Sequence, residues 1–240
     1  MQKQYSNQHL IEVNCGFQFT EETTRWDSTY FGQYYDKIKN AGFIEKEERK
    51  GFQIQFAPNN SSSFAFSNQN AEDQVVFKDS TKGRAILLGK DRISFHIIQN
   101  YTNWEDFLNL FIKPFIKYYF DLGLGNGARE CSIIYLNRFS EPLSFKISDY
   151  FSIFSDVKNS YSEIFTSGQR IFDDGHNLLI AKLNSQIQSN LNYVVNLECG
   201  ATCKNIECKK QDWEVQANNT HKPIKAFFES LITNKLRDKL

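Results

Sequence analysis

The segment TNWEDFLNLFIKPFIKYYFDL, residues 102–122, constrains the architecture of this chain more than any other. Trp104, Phe107, Leu108, Phe111, Phe115, Tyr118, Tyr119 and Leu122 recur at the three-and-four spacing of a helical face. Leu110, Ile112, Ile116 and Phe120 widen the stripe well past one face, so the helix must be covered on two sides. That demands more apolar surface than one small sheet supplies, from this chain or from a partner. Thr102 and Glu105 have the spacing of a capping box. Pro114 is expected to kink the helix, because its ring removes a backbone donor and crowds the preceding turn.

The rest of the chain supplies strands. In LIEVNCGFQF, Ile11, Val13, Cys15, Phe17 and Phe19 alternate with polar residues and Gly16, the pattern of a half-buried strand. Val13→Asp is therefore expected to be costly and Glu12→Lys nearly neutral. Trp26, Tyr30, Tyr34 and Ile38 are spaced four apart, and Gly42 is placed to end that helix. Strands are expected at Phe52–Phe56 and around Val75–Phe77, with a hairpin in AILLGKDRISFHII turning at Gly89–Asp91. A strand follows in ECSIIYLNRF, then a short helix or turn near DYFSIFSDV, then two strands joined through DDG. NYVVNLEC gives a last strand, and KPIKAFFESLITNKLRDKL reads as one closing helix with Ile224, Phe227, Phe228, Leu231, Ile232 and Leu236 on a face.

Strand, helix, several strands, helix: the order occurs twice, without sequence identity between the copies. The expected fold is α+β, a single domain over 1–240. It has two pseudo-repeated β-α-β(3–4)-α halves, at about 8–122 and 128–240, with antiparallel sheets joined edge to edge or packed side by side. That element order resembles TATA-binding-like and helix-grip-like arrangements, which bind partners on a sheet or ligands under a helix.

Charge excludes the simplest nucleic-acid and membrane readings. Lys+Arg and Asp+Glu are both 28, so no net field draws the chain to phosphate or anionic lipid. No apolar run approaches the length of a membrane span. The opening MQKQYSNQHL lacks an apolar stretch, and five cysteines are an odd number; both point to reduced thiols in a cytoplasm. Three of those cysteines stand close together as Cys199-x3-Cys203-x4-Cys208, with His221 beyond. Zinc sites use four ligands in tighter pairs. Cys199 continues the alternation of Tyr193, Val195 and Leu197, and Cys15 and Cys131 sit similarly in their strands. The favoured reading puts these three in the core and Cys203 and Cys208 in an inert loop, ahead of a metal or redox pair. No metal or cofactor is expected.

Other candidates read as structure first. GLGNG at 123–127 follows a helix instead of preceding one, so it terminates that helix and does not cradle phosphate. Asp174 and His176 in DDGH belong to a hairpin turn. His96 shares a strand face with Ser94 and reads as a locally hydrogen-bonded histidine ahead of a catalytic base. Asn137 falls on the face of Cys131, Ile133 and Tyr135; with Arg138 it pins sheet register or touches a ligand, the former favoured.

Four segments resemble a known family: the EVxCxFxF strand at 12–19, NYTNWEDF at 100–107, YLNRF at 135–139, and H-x2-I-x2-FFESLITNKLRDKL at 221–240. The chain is similar nearly end to end to sporadically distributed bacterial and archaeal proteins of uncharacterised function. It departs in having Leu136 in place of an isoleucine, and in its cysteine-bearing 199–208 segment. The resemblance carries no catalytic residues. The family's patchy distribution resembles that of defence or toxin–antitoxin modules, which implies an antitoxin-like or accessory role. The expected function is non-catalytic: binding a protein partner, such as the product of a neighbouring gene, through exposed members of the set Trp26, Tyr34, Tyr35, Tyr118 and Trp213. The alternatives are a small-ligand or nucleotide sensor with a cavity between sheet and helix, and a hydrolase or nuclease in which carboxylates converge on His176 or His96.

Overall fold

Alternation along Leu10–Phe19 produces β1, with Val13, Cys15, Phe17 and Phe19 buried and Glu12, Asn14, Gly16 and Gln18 turned the other way. The computed structural model describes residues 9–19, 27–49, 53–54, 66–67, 74–125, 127–142, 147–152, 167–173, 175, 177–187, 192–208 and 212–240. Helix α1 (Thr29–Ile38) continues as a 3-10 turn and stops at Gly42, whose φ of 103° suits a residue without a Cβ. Then come β2 (Glu45–Arg49), the short pair β3 (Gln53–Ile54) and β4 (Phe66–Ser67), β5 (Gln74–Asp79), β6 (Arg84–Gly89) and β7 (Arg92–Ile98). Phe52 and Phe56 of the expected strand, and Trp26 of the expected helix, lie outside the described residues.

The long helix begins as α2 (Trp104–Asp106), widens into a π-helical turn (Phe107–Ile112) and resumes as α3 (Lys113–Asp121). The expected kink at Pro114 is thus a change of winding immediately before it. The Lys113 N–H reaches back five residues to the Leu108 carbonyl, and α3 restarts with proline in its first turn, where no donor is needed. The cap also sits one residue later than expected. Asn103 accepts from the Asp106 N–H at 2.8 Å, and its Nδ2 donates to the Asp106 carboxylate at 2.7 Å. At the other end Gly123 N–H bonds to Phe120 O and Leu124 N–H to Tyr119 O, the paired bonds of a left-handed glycine cap.

The second part of the chain runs β8 (Ala128–Pro142), α4 (Ile147–Tyr150), β9 (Ser167–Asp173), β10 (Leu178–Ile187), β11 (Asn192–Cys208), α5 (Trp213–His221), α6 (Ile224–Leu231) and α7 (Asn234–Arg237). Two expectations need correcting. The closing segment is not one helix: Ile232 leaves it to bridge with Phe151, and the Thr233 N–H bonds to Tyr150 O at 2.9 Å before α7 starts. Cys203 and Cys208 are not in a loop. They lie in β11, opposite Cys131 and Ala128 on β8. The expected strand stops at Cys199, but β11 runs on through Gly200, which is small because β8 passes close by. A Cβ there would stand 2.4 Å from the Ile133 carbonyl oxygen.

These strands form one antiparallel sheet in the order β2-β5-β6-β7-β1-β8-β11-β10-β9. Its middle is the β1–β8 pair, with Val13 opposite Tyr135 and Cys15 opposite Ile133. One face carries Val13, Cys15, Phe17, Ile93, Phe95, Cys131, Ile133, Val195, Leu197 and Cys199, none more than 2% exposed. Cys15, Cys131 and Cys199 are therefore core residues, as their alternation predicts. The helices pack on this face: α1 through Tyr34 on Phe77, the π turn through Phe111 on Phe95, α5 through Trp213 on Phe17, and α6 through Phe227 on Phe172. Phe77, Phe95, Phe111, Phe17 and Phe227 are buried, and each contributes roughly 2–3 kcal/mol by transfer from water. The over-wide helix finds its cover within the chain. The sheet lies beneath it, α1 flanks it with the Tyr34 hydroxyl donating to Phe115 O at 3.0 Å, and α5 flanks it through Trp104 and a Lys113–Glu214 pair. Of its apolar residues Leu110 stands out, at 69% exposed.

Candidate functional site

The opposite sheet face, turned away from these helices, is where polar groups gather. The strand registers arrange it in rows. One row runs Ile98, Glu12, Leu136, Glu198, Lys182; the next Ala85, His96, Asn14, Ile134, Gly200, Ile180; the third Leu87, Ser94, Gly16, Ser132, Thr202. Ser94 and His96 project together because they are two apart on β7, and Glu12 joins them from β1. His96 Nδ1 lies 2.7 Å from Glu12 Oε1, and His96 Nε2 lies 2.9 Å from Ser94 Oγ. A carboxylate oxygen only accepts, so Nδ1 carries the hydrogen, and in the neutral imidazole Nε2 then accepts from the serine hydroxyl.

The centre of this face is not solvated as alternation alone suggests. The side chains of His96 and Glu12 are only 23% and 17% exposed, and those of Lys182 and Glu198 13% each. Burial pushes the Glu198 carboxyl up from its ordinary value, against the pull of Lys182 at 3.8 Å and with a further push from Glu12. Burial likewise draws the Lys182 ammonium down, against Glu198. Toward β5, Val76, Ala85 and Leu87 form a buried apolar cluster separate from the main core. At the middle, Gly16 lets Ser94 and Ser132 approach one another. A Cβ there would touch Ser132 Oγ at 3.3 Å and Ser94 Cβ at 3.4 Å.

Behind the sheet, three of the segments that carry the family resemblance meet. The Tyr101 and Tyr135 hydroxyls are 2.9 Å apart, and the Trp104 and His221 rings stack at 4.3 Å and 5°. The Trp104 indole donates to Asn218 Oδ1 at 2.8 Å. Burial pushes Tyr101 up to about 12 and Tyr135 well above its ordinary value, so both stay neutral and one hydroxyl donates to the other. This cluster ties α2, α5 and β8 together and fixes the strand whose reverse face carries Ile134 and Leu136.

Burial draws His221 down to about 4 from an ordinary 6.5. Between those values the unfolded chain takes up a proton that the folded chain refuses. Stability is therefore expected to fall as pH drops from 6.5 to 4, by on the order of 2 kcal/mol. His221→Phe should keep the stack and flatten this slope in urea unfolding at pH 4.5–7. An unchanged slope would show that another group governs it.

The residues singled out in the sequence are placed as follows. Tyr34 is fully buried and offers no surface. Tyr35 is half-buried and stacks on Phe77, Tyr118 packs edge-on to Phe115, and Trp213 edge-on to Phe17. Tyr34, Tyr35 and Trp213 hold helices to the sheet, whereas the Tyr118 contact lies within α3. Asn137 lies on the helix-covered face opposite Leu197, whereas Arg138 is on the other face, its Nε donating to Asn196 Oδ1 at 2.9 Å. The two do not form one site. Asp174 and His176 lie outside the described residues; beside them the Gly175 N–H donates to Asp173 Oδ1 at 2.7 Å. Among the described residues no group of three or more His, Cys, Asp or Glu is placed to hold a metal, and no described helix is long and apolar enough to cross a membrane. Sequence reasoning paired His96 with Ser94 but missed Glu12, whose signal is only its polar place in an alternating strand.

No family model matches the chain, no curated protein matches it, and no solved structure matches it.

Proposed function

We propose that this chain is a binding and regulatory protein that receives a protein partner on the sheet face turned away from its helices. The observation that supports this most is the set of half-buried ionisable groups, Glu12, His96, Glu198 and Lys182, at the centre of that face. Around them stand Ile134, Leu136 and Ile180, all half-buried, and Ile98, 44% exposed. A polar centre that is costly to desolvate, set among apolar side chains, gives selectivity for a complementary partner. On this reading the chain has two halves related about the β1–β8 pair. Each half would bring its first and last strands together, β1 with β7 and β8 with β11, in the manner of a TATA-binding-like sheet that keeps one face for a partner. Of the aromatic residues first considered as anchors, Tyr34, Tyr35 and Trp213 serve the other face.

Coexpression with the products of neighbouring genes tests this. One product should co-purify with the parent chain. Ile180→Arg should weaken that complex at least tenfold without lowering the melting temperature, while Val215→Ser on exposed α5 leaves it intact. A complex indifferent to Ile180→Arg and His96→Ala, or lost on Val215→Ser, would move the interface elsewhere. The low exposure of the central groups also favours a second reading, a sensor for a small polar ligand. That reading prevails if the chain purified alone carries a small molecule that His96→Ala releases.

A further inference from the structure

Glu12, His96 and Ser94 form a hydrogen-bonded line with one direction. The carboxylate accepts from Nδ1–H at 2.7 Å, and in the neutral imidazole Nε2 keeps its lone pair and accepts from the Ser94 hydroxyl at 2.9 Å. That is the order in which a hydroxyl is prepared to lose its proton: a base within reach, itself oriented by a third group. Two other features bear on the same spot. Gly16 faces Ser94 across the strands, and its lack of a side chain keeps Ser94 and Ser132 from being crowded, since a Cβ there would come within 3.3 Å of Ser132 Oγ and 3.4 Å of Ser94 Cβ. The line is also partly withdrawn from water, at 23% and 17% side-chain exposure for His96 and Glu12, which strengthens its electrostatics. Asn14, directly opposite His96, and Ser132, opposite Gly16, carry hydrogen-bond donors on the same sheet face.

We propose that Ser94 is a nucleophile toward activated acyl and phosphonyl esters that approach the sheet face beside Gly16. In the step, Ser94 Oγ bonds to the electrophilic carbon or phosphorus and the bond to the leaving group breaks, its electron pair departing with that group. The Ser94 proton passes to His96 Nε2, and Glu12 stabilises the imidazolium that results. The proton is then released to the leaving group or to solvent. Strands β6 and β1 flank β7 on both sides at Ser94, so the backbone N–H groups there serve the sheet ladder. Stabilisation of the developing oxyanion falls to the side chains of Asn14 and Ser132, a weaker device than paired backbone donors. Transfer to Ser94 is accordingly expected to outrun release, giving one covalent turnover.

The inference does not rest on the partner reading, because the test uses the isolated full chain. A fluorophosphonate probe forms an Oγ–phosphorus bond and expels fluoride, and peptide mass spectrometry locates the adduct. One adduct is expected, on Ser94, absent after heat denaturation and in Ser94→Ala. Labelling should be at least tenfold slower in both His96→Ala and Glu12→Gln, and unchanged in Ser152→Ala, at an exposed serine elsewhere. No adduct on Ser94 in the folded chain overturns the proposal. So does labelling at the parental rate in whichever of His96→Ala and Glu12→Gln melts as the parent does; Glu12→Gln keeps the shape of the side chain and so guards against a folding failure in the other.

Discussion

Val13→Asp is expected to abolish the folded state at neutral pH, while Glu12→Gln, one residue away, costs about 1 kcal/mol. Val13 is fully buried at the middle of the sheet, opposite Ile97 on one side and Tyr135 on the other, with helices above. A carboxylate there meets apolar groups and must either stay charged and unpaired or take up a proton. Both routes cost several kcal/mol, about 4 or more, which is most of the net stability of an ordinary domain. Glu12→Gln keeps an acceptor for His96 Nδ1 and loses only the charge assistance. Glu12→Lys is the sharper comparison, because alternation alone predicts almost no effect. The structure raises that expectation to about 2 kcal/mol, since the new ammonium would face the imidazole it replaces as a partner, in a half-buried place. Urea unfolding followed by tryptophan fluorescence checks the order of the three. Equal losses for Val13→Asp and Glu12→Lys would mean that the two faces of β1 have been exchanged.

What the sequence revealed, and what it hid, follows from the range of each interaction. The strand at 10–19, the hairpin turning at Gly89–Asp91 and the glycine stop at 123 are written in neighbouring residues, and each is where the pattern puts it. The capping residue was missed by one place because Asn103 and Asp106 satisfy the same geometry as Thr102 and Glu105. The length of β11 was hidden by Gly200, whose turn-like character reflects the close passage of β8, a partner about 70 residues earlier in the chain. The break at Ile232 was hidden because its cause is Phe151. The candidate site shows the same division. Ser94 and His96 are visible as a pair because they share a strand, but Glu12 reaches His96 across 84 positions of sequence. Only the register between β1 and β7 brings it there. A motif search for a serine, a histidine and a carboxylate at fixed spacing has nothing to find in such a case.

Gly200→Ala is expected to cost about 3 kcal/mol, against about 1 or less for Gly16→Ala, although both glycines lie in central strands on the same face. The difference is in what the added methyl group meets. At Gly16 it would stand 3.3 Å from Ser132 Oγ and 3.4 Å from Ser94 Cβ, contacts that small side-chain rotations relieve. At Gly200 it would stand 2.4 Å from the Ile133 carbonyl oxygen and 3.1 Å from Ile134 Cα, which are backbone atoms of the neighbouring strand. Those atoms move only if β8 moves, and β8 is held on its other side by β1 and from above by the Tyr101–Tyr135 contact. Relief would therefore separate β8 from β11 locally and weaken the ladder bonds around Ile134 and Gly200, where the two central strands of the second part of the chain are joined. Chemical denaturation of the two alanine variants measures the comparison directly. Hydrogen exchange should show the loss of protection at Gly200→Ala concentrated in β8 and β11, with β7 little changed. If the two alanines cost the same, the β8–β11 spacing is wider than described here. The small residue at 200 would then need another explanation.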